Sequence, residues 1–211
     1  MDLQQISTDN LVKELLHRHD LVTKDGVISS VHLFHLVRKL VPSMCIDGIP
    51  VRRRHEDGEI EALAIIRGTG KERGKLLSIG GRLRRLPKGQ PPESIIDCLR
   101  RQVRTDIGCE INLLSNPRQP FDVAEFAPRE DGVLFPDGFN YEYEQHAISL
   151  FFIVELVGEP TKLGSTPHGG QEALGVKWFT MKNLPPPNEF AYGSYRQYEK
   201  LLQDPEAYIH I

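Results

Sequence analysis

Cysteine is scarce in this 211-residue chain: Cys45, Cys98 and Cys109 are the only three. Their number is odd and no pair has CxxC spacing, which argues against a disulfide framework and a cysteine metal site, and fits an intracellular protein with reduced thiols. Long apolar runs are absent too. No stretch approaches the roughly 18 residues of a membrane-spanning helix, and "MDLQQISTDN" lacks the basic and apolar regions of a secretory signal. A soluble, cytoplasmic protein with no membrane partner is expected. Charge of one sign is not in excess: 26 Lys and Arg face 29 Asp and Glu, for a net charge of −3. That balance gives no support to a broad nucleic-acid surface. Internal repeats and low-complexity segments are missing as well. What remains, 39% of it hydrophobic, is enough for one sizeable core and a small appendage.

The first 41 residues read as a helical extension. "STDNLVKELLHRHD" offers Ser7 or Thr8 as an N-cap with Leu11, Leu15 and Leu16 at helical spacing, and "SSVHLFHLVRKLV" repeats the pattern with Val31, Phe34 and Val37 before Pro42. His17, His19, His32 and His35 fall on two segments without a shared ligand geometry and read as surface and boundary histidines.

From residue 42 onward the periodicity is that of a second unit, 42–211. "SMCIDGIPVRRR" and "IEALAIIRG" read as a hairpin around "HEDGE", followed by a short strand "LLSI" that leads to Gly80-Gly81. An amphipathic helix is expected from Glu93 to Ile107, with Ile95, Ile96, Leu99, Val103 and Ile107 on one face and Gly108 as a left-handed cap. Strands "EINLLS", "FDVAEF", "AISLFFIVEL" and "VKWF" follow, and "SYRQYEKLLQD" closes with a helix. Strands on both sides of a central helix, with a terminal helix, point to an α/β class: a mixed β-sheet sandwiched between α-helices.

The order of strand, Gly-Gly, loop, Glu, amphipathic helix and Gly resembles the Nudix fold, whose signature is G-x5-E-x7-R-E-U-x-E-E-x-G-U with U aliphatic. Glu93, Arg101, Val103 and Gly108 match at the right mutual spacing. Gln102 and Thr105 replace two of the three helix carboxylates, leaving Asp106, and Cys109 replaces the last aliphatic residue. The Gly-Gly pair also stands about six residues further from Glu93 than the signature allows, which marks an insertion. Positions 102, 105 and 106 share one helix face. Three carboxylates there would hold a cluster of divalent ions. A lone Asp106 is compatible with one magnesium ion arriving with a diphosphate.

This reduced pattern is similar to that of the GDP-mannose mannosyl hydrolase family, from about Leu33 to Tyr198, through "VPSMCIDGIPV", "IIRG", "GGRL", "RQVRTDIG", "QHAISLFF" and "VKWFTMKNL". The resemblance implies Mg2+ held by the Gly80 carbonyl, Asp106 and Gln171, with Arg67 and Arg82 on the diphosphate of a nucleoside diphosphate sugar. It further implies water attack at the anomeric carbon, a histidine base beside the glutamine, and a homodimer. In "STPHGGQEALGVKW" the residue after Gln171 is Glu172, His168 stands three positions before it, and the interval from Gln171 to Trp178 is one longer than usual. Glu172 and His168 are therefore both candidate bases, and Gln171 and Glu172 can exchange roles.

Plainer readings stand beside these. Gly80-Gly81 alone is a weak motif, and Arg67 and Arg82 can be surface arginines. Asp106 near a helix C-terminus opposes the macrodipole at a cost of about 0.3–1 kcal/mol, which favours a role beyond stability. "RRLPKGQPP" reads either as a set of phosphate contacts or as a soluble excursion. A Nudix-fold module that binds nucleotide sugars without turnover remains open. So does pyrophosphate cleavage with carboxylates such as Glu142 or Glu144.

Overall fold

A computed structural model of the chain describes residues 43–69, 72–84, 91, 93–126, 147–160, 163 and 173–209. The expected N-terminal helices, together with His168, Gln171 and Glu172, lie outside these residues.

The strand β1 (Ser43–Arg53) and the strand β2 (Ile60–Arg67) form the expected hairpin, with Val51 opposite Ala62 and Arg53 opposite Ile60. The turn between them closes where Gly58, at φ 73°, donates its N–H to the Arg54 carbonyl and the Arg54 N–H bonds Glu59. An ion pair between Arg54 and Asp57 sits on that turn. On the N-terminal side of Val51 the two strands part company. The N-terminal part of β1 runs parallel to β7 (Ala147–Val157), from Ser43 opposite Ala147 to Pro50 opposite Val154, while β2 pairs along its length with β8 (Ala173–Phe179). β1 thus pairs with two sets of strands, through its C-terminal end with β2 and through the rest with β7.

The stretch expected as a single strand "LLSI" follows this division and is broken in two. β3 (Leu76–Leu77) pairs with Ile65 and Ile66 of β2, and β4 (Ile79–Arg82) pairs with Cys45 to Gly48 of β1. Ser78, buried, is the corner between them. Gly80 and Gly81 therefore lie inside a strand, whereas the sequence reading placed them after one.

The helix α1 spans Ile95–Ile107, two residues shorter at its start than expected, because Ser94 takes the N-cap and accepts the Asp97 N–H at 3.1 Å. Gly108 ends it at φ 73°, ψ 19°, returning its N–H to Arg104. α1 packs on one face of the sheet through Leu99, Val103 and Ile107, against Ile46, Ile79 and Phe152. β5 (Glu110–Leu113) and β6 (Asp122–Phe126) pair with β7 from its C-terminal and N-terminal halves. The helix α2 (Tyr195–Gln203) joins a second core with Ile49, Phe151, Ile153, Phe179 and Phe190. Alternate residues of β7 enter the two cores, Phe151 and Ile153 one and Phe152 and Val154 the other, which is why its centre is apolar at consecutive positions. The fold is the expected α/β sandwich with a mixed sheet.

The cap at Gly108 gives a direct check. Gly108→Ala places a Cβ on a left-handed backbone and is expected to lower unfolding free energy by about 1 kcal/mol, read as a shifted denaturation midpoint; an unchanged midpoint would remove that cap from the helix.

Candidate functional site

The two glycines of β4 are required by close approach, since neither has a positive φ. A Cβ on Gly80 would run into the carboxyl of Asp47 and would stand 2.6 Å from the Ile46 carbonyl oxygen. A Cβ on Gly81 would occupy the place taken by the side-chain amide of Gln102. The helix α1 thus reaches Gly81 from one face of the strand while Asp47 presses on Gly80 from β1. Gln102, which stands where the Nudix signature has a carboxylate, packs its amide over the glycine backbone.

Asp47 is a residue that the sequence reading passed over. Its carboxyl accepts hydrogen bonds from Ser78 Oγ at 3.0 Å and from Ser149 Oγ, so it ties β1 to the β3–β4 corner and to β7. Burial pushes the carboxyl above its ordinary value, while the hydroxyls of Ser149 and Ser78 partly offset that rise. The signal that would have found it is an acid between Ile46 and Gly48-Ile49 in an otherwise apolar strand.

Directly after the glycines, Arg82 pairs in register with Cys45. Burial lowers its guanidinium pKa from the ordinary value, partly offset by the Cys45 thiol. Its backbone is fixed from the helix side: Arg101 donates through Nη2 to the Arg82 carbonyl at 2.9 Å. The same guanidinium forks onto Glu93, with Nε to Oε1 at 2.6 Å and Nη2 to Oε2 at 3.0 Å. Glu93 also accepts the Arg84 N–H at 2.7 Å. Glu93 and Arg101 therefore clamp the chain where it leaves β4 for the inserted stretch. Burial pushes the Glu93 carboxyl up, but Arg101 and the Arg84 N–H outweigh it and leave the pKa lowered.

Asp106 lies on α1 one turn beyond Gln102 and is 3% exposed. Burial pushes the Arg101 guanidinium down, but its bond to Glu93 outweighs that and raises it, with a smaller share from the charge of Asp106. Thr105 is exposed. Among the described residues no three His, Cys, Asp or Glu side chains come together in an arrangement able to hold a metal. This donor set does not fit a multi-metal cluster. A lone carboxylate is chemically compatible with a single hard cation that brings phosphate ligands of its own.

Arg67 ends β2 at an irregularity between Ile66 and Arg67, opposite Ala173 of β8. Its Nε donates to the Thr69 carbonyl at 2.9 Å and its guanidinium lies 4.9 Å from the centre of the Tyr192 ring. Ala173 is the residue that follows Gln171 and Glu172.

These elements build the fold of the Nudix hydrolases. A structure from Jonesia denitrificans, described as a possible asymmetric diadenosine tetraphosphate hydrolase, matches with a TM-score of 0.53 and 24% identity over 77% of this chain and 94% of that one. A Nudix hydrolase from Nitrosomonas europaea matches at 0.51 and 14% identity, covering 80% and 76% of the two chains. A MutT Nudix hydrolase from Burkholderia pseudomallei matches at 0.50 and 17%, covering 76% and 97%. At these identities the likeness establishes the fold. By sequence, the chain belongs to the DUF4916 family, a domain of unknown function, whose model matches residues 24–196. No curated protein matches it.

Two expectations follow from this packing. Gly81→Ala displaces only the end of a flexible side chain, so its cost, about 1–2 kcal/mol, should be largely recovered in the double variant with Gln102→Ala. Gly80→Ala meets backbone at Ile46, and no side-chain truncation should rescue it. Denaturant titration of the four variants checks this, and a rescue of Gly80→Ala by Gln102→Ala would contradict it. The second concerns pH. A carboxyl with a lowered folded pKa stabilises above its unfolded value, about 4.3 for glutamate, and loses that contribution as pH falls through the folded value. The stability gap between wild type and Glu93→Gln should therefore be present at pH 7 and shrink below about pH 4.3; a gap independent of pH would refute the pairing with Arg101.

Proposed function

We propose that this protein is a Mg2+-dependent hydrolase of nucleoside diphosphate derivatives, acting on a nucleoside diphosphate sugar of the GDP-mannose kind by water attack at the anomeric carbon. The observation that carries the reading is the position of Arg82: a partly desolvated guanidinium directly after Gly80-Gly81, on a residue whose backbone carbonyl is held by Arg101 of the helix that keeps Asp106. A cation whose charged form is disfavoured by burial gains more from an arriving oxyanion than an exposed arginine does. Arg67 supplies the second fork of donors, suited to paired phosphate oxygens.

The residues proposed to hold the ion are Asp106, the Gly80 carbonyl and Gln171. When bound with the diphosphate, the ion would neutralise charge on the leaving group. Arg67 and Arg82 would bind and orient that diphosphate, which makes the nucleoside diphosphate the better leaving group and directs water to the sugar carbon. Asp47, through Ser78 and Gly80, holds β4 in place. Glu172 or His168 would take the proton of the attacking water. Pyrophosphate cleavage with several metal ions is disfavoured, because Gln102 covers Gly81 and Thr105 carries no charge. The same substitution favours a second reading, a module that binds a nucleotide sugar without turning it over.

Incubation with GDP-, ADP- and UDP-sugars and magnesium separates these readings. Release of nucleoside diphosphate and free sugar is expected. Release of monophosphate would establish attack on phosphorus, and binding without product would establish the module. Asp106→Asn is expected to abolish magnesium-dependent turnover while leaving the fold intact; undiminished turnover in that variant would take Asp106 out of the site.

A further inference from the structure

Tyr192 has the only positive φ of any non-glycine among the described residues, at φ 56°, ψ 24°. A bulky side chain pays steric strain in this left-handed region. The surroundings hold it there. Phe190 and Ala191 on its N-terminal side are fully buried, and the Ala191 carbonyl accepts both the Ser194 N–H at 3.1 Å and Ser194 Oγ at 2.9 Å. Phe190 also bridges to Leu76 of β3. The next residue, Gly193, shares the left-handed conformation at φ 66°. What the strained backbone achieves is to put an aromatic ring against the guanidinium of Arg67.

Arg67 is thereby restrained twice, by the Thr69 carbonyl on Nε and by the Tyr192 ring on its face. Opposite Arg67 the register shifts, with β8 carrying Leu174 as an extra residue between Gly175 and Ala173. With Nε committed to Thr69, the Nη groups are the part of the fork suited to an oxyanion. Holding a long, flexible side chain in one orientation before binding removes an ordering cost that the ligand would otherwise bear.

We infer that Tyr192 is a positioning residue that pre-orients Arg67 for the diphosphate group of the ligand. The inference rests on the diphosphate-binding reading of Arg67 given above. Its role requires the ring, so Phe serves in its place and a small polar residue does not.

The test is calorimetric binding of inorganic pyrophosphate and of GDP, each with magnesium, to wild type, Tyr192→Phe, Tyr192→Asn, Arg67→Ala and the Arg67→Ala/Tyr192→Asn double variant. Asn tolerates the left-handed backbone, so Tyr192→Asn removes the ring while keeping the turn. It is expected to weaken both ligands by roughly three- to tenfold, with a melting temperature close to wild type, and Tyr192→Phe is expected to bind as wild type does. In the Arg67→Ala background Tyr192→Asn should add no further loss, because the two act as a unit. Wild-type affinity in Tyr192→Asn, or an equal loss with and without Arg67, would overturn the inference alone. Failure of wild type to bind either ligand would overturn the diphosphate reading and the inference with it.

Discussion

The site depends on one buried acid. Asp47 accepts hydroxyl hydrogen bonds from Ser78 at the β3–β4 corner and from Ser149 on β7, and it stands so close to Gly80 that no side chain fits there. Burying a carboxyl in the middle of an apolar strand is unfavourable unless its oxygens are occupied. Here the two serines occupy them, and in doing so they fix the corner by which the chain crosses from one sheet to the other. Arg82, Gly81 and the contact with α1 all follow from where that corner stands.

From this corner outward, the molecule is a Nudix fold in which the helix has changed its contribution. Gln102 fills the space over Gly81 with an amide, and Arg101 ties Glu93 to the start of the inserted stretch. Asp106 is left as the acid of that face. Fewer carboxylates mean less capacity to gather metal ions, and in the proposed function the weight of anion binding falls on arginines. The chemistry that suits such a site places negative charge on a departing diphosphate, which is the basis of the proposed function.

Much of the fold was legible in the sequence because its signals are local. The apolar run of β7, the spacing of Leu99, Val103 and Ile107, and Gly108 after them each have one cheap structural solution. The break of "LLSI" at Ser78 was not legible, because it comes from its two halves pairing with different strands, β2 and β1. The need for Gly80 and Gly81 was legible only as a pair of small residues. Its cause, Asp47 on one side and Gln102 on the other, is tertiary. The strained Tyr192 was invisible for the same reason: nothing in "FAYGSY" distinguishes a residue that will be held left-handed from its neighbours.

The central claim is that water attacks carbon with the nucleoside diphosphate leaving intact. Turnover of a nucleotide sugar in 18O-labelled water, followed by mass spectrometry of both products, tests it most directly. The account predicts the label in the released sugar and none in the nucleotide; label in a phosphate, or no turnover of any nucleotide sugar, would contradict it.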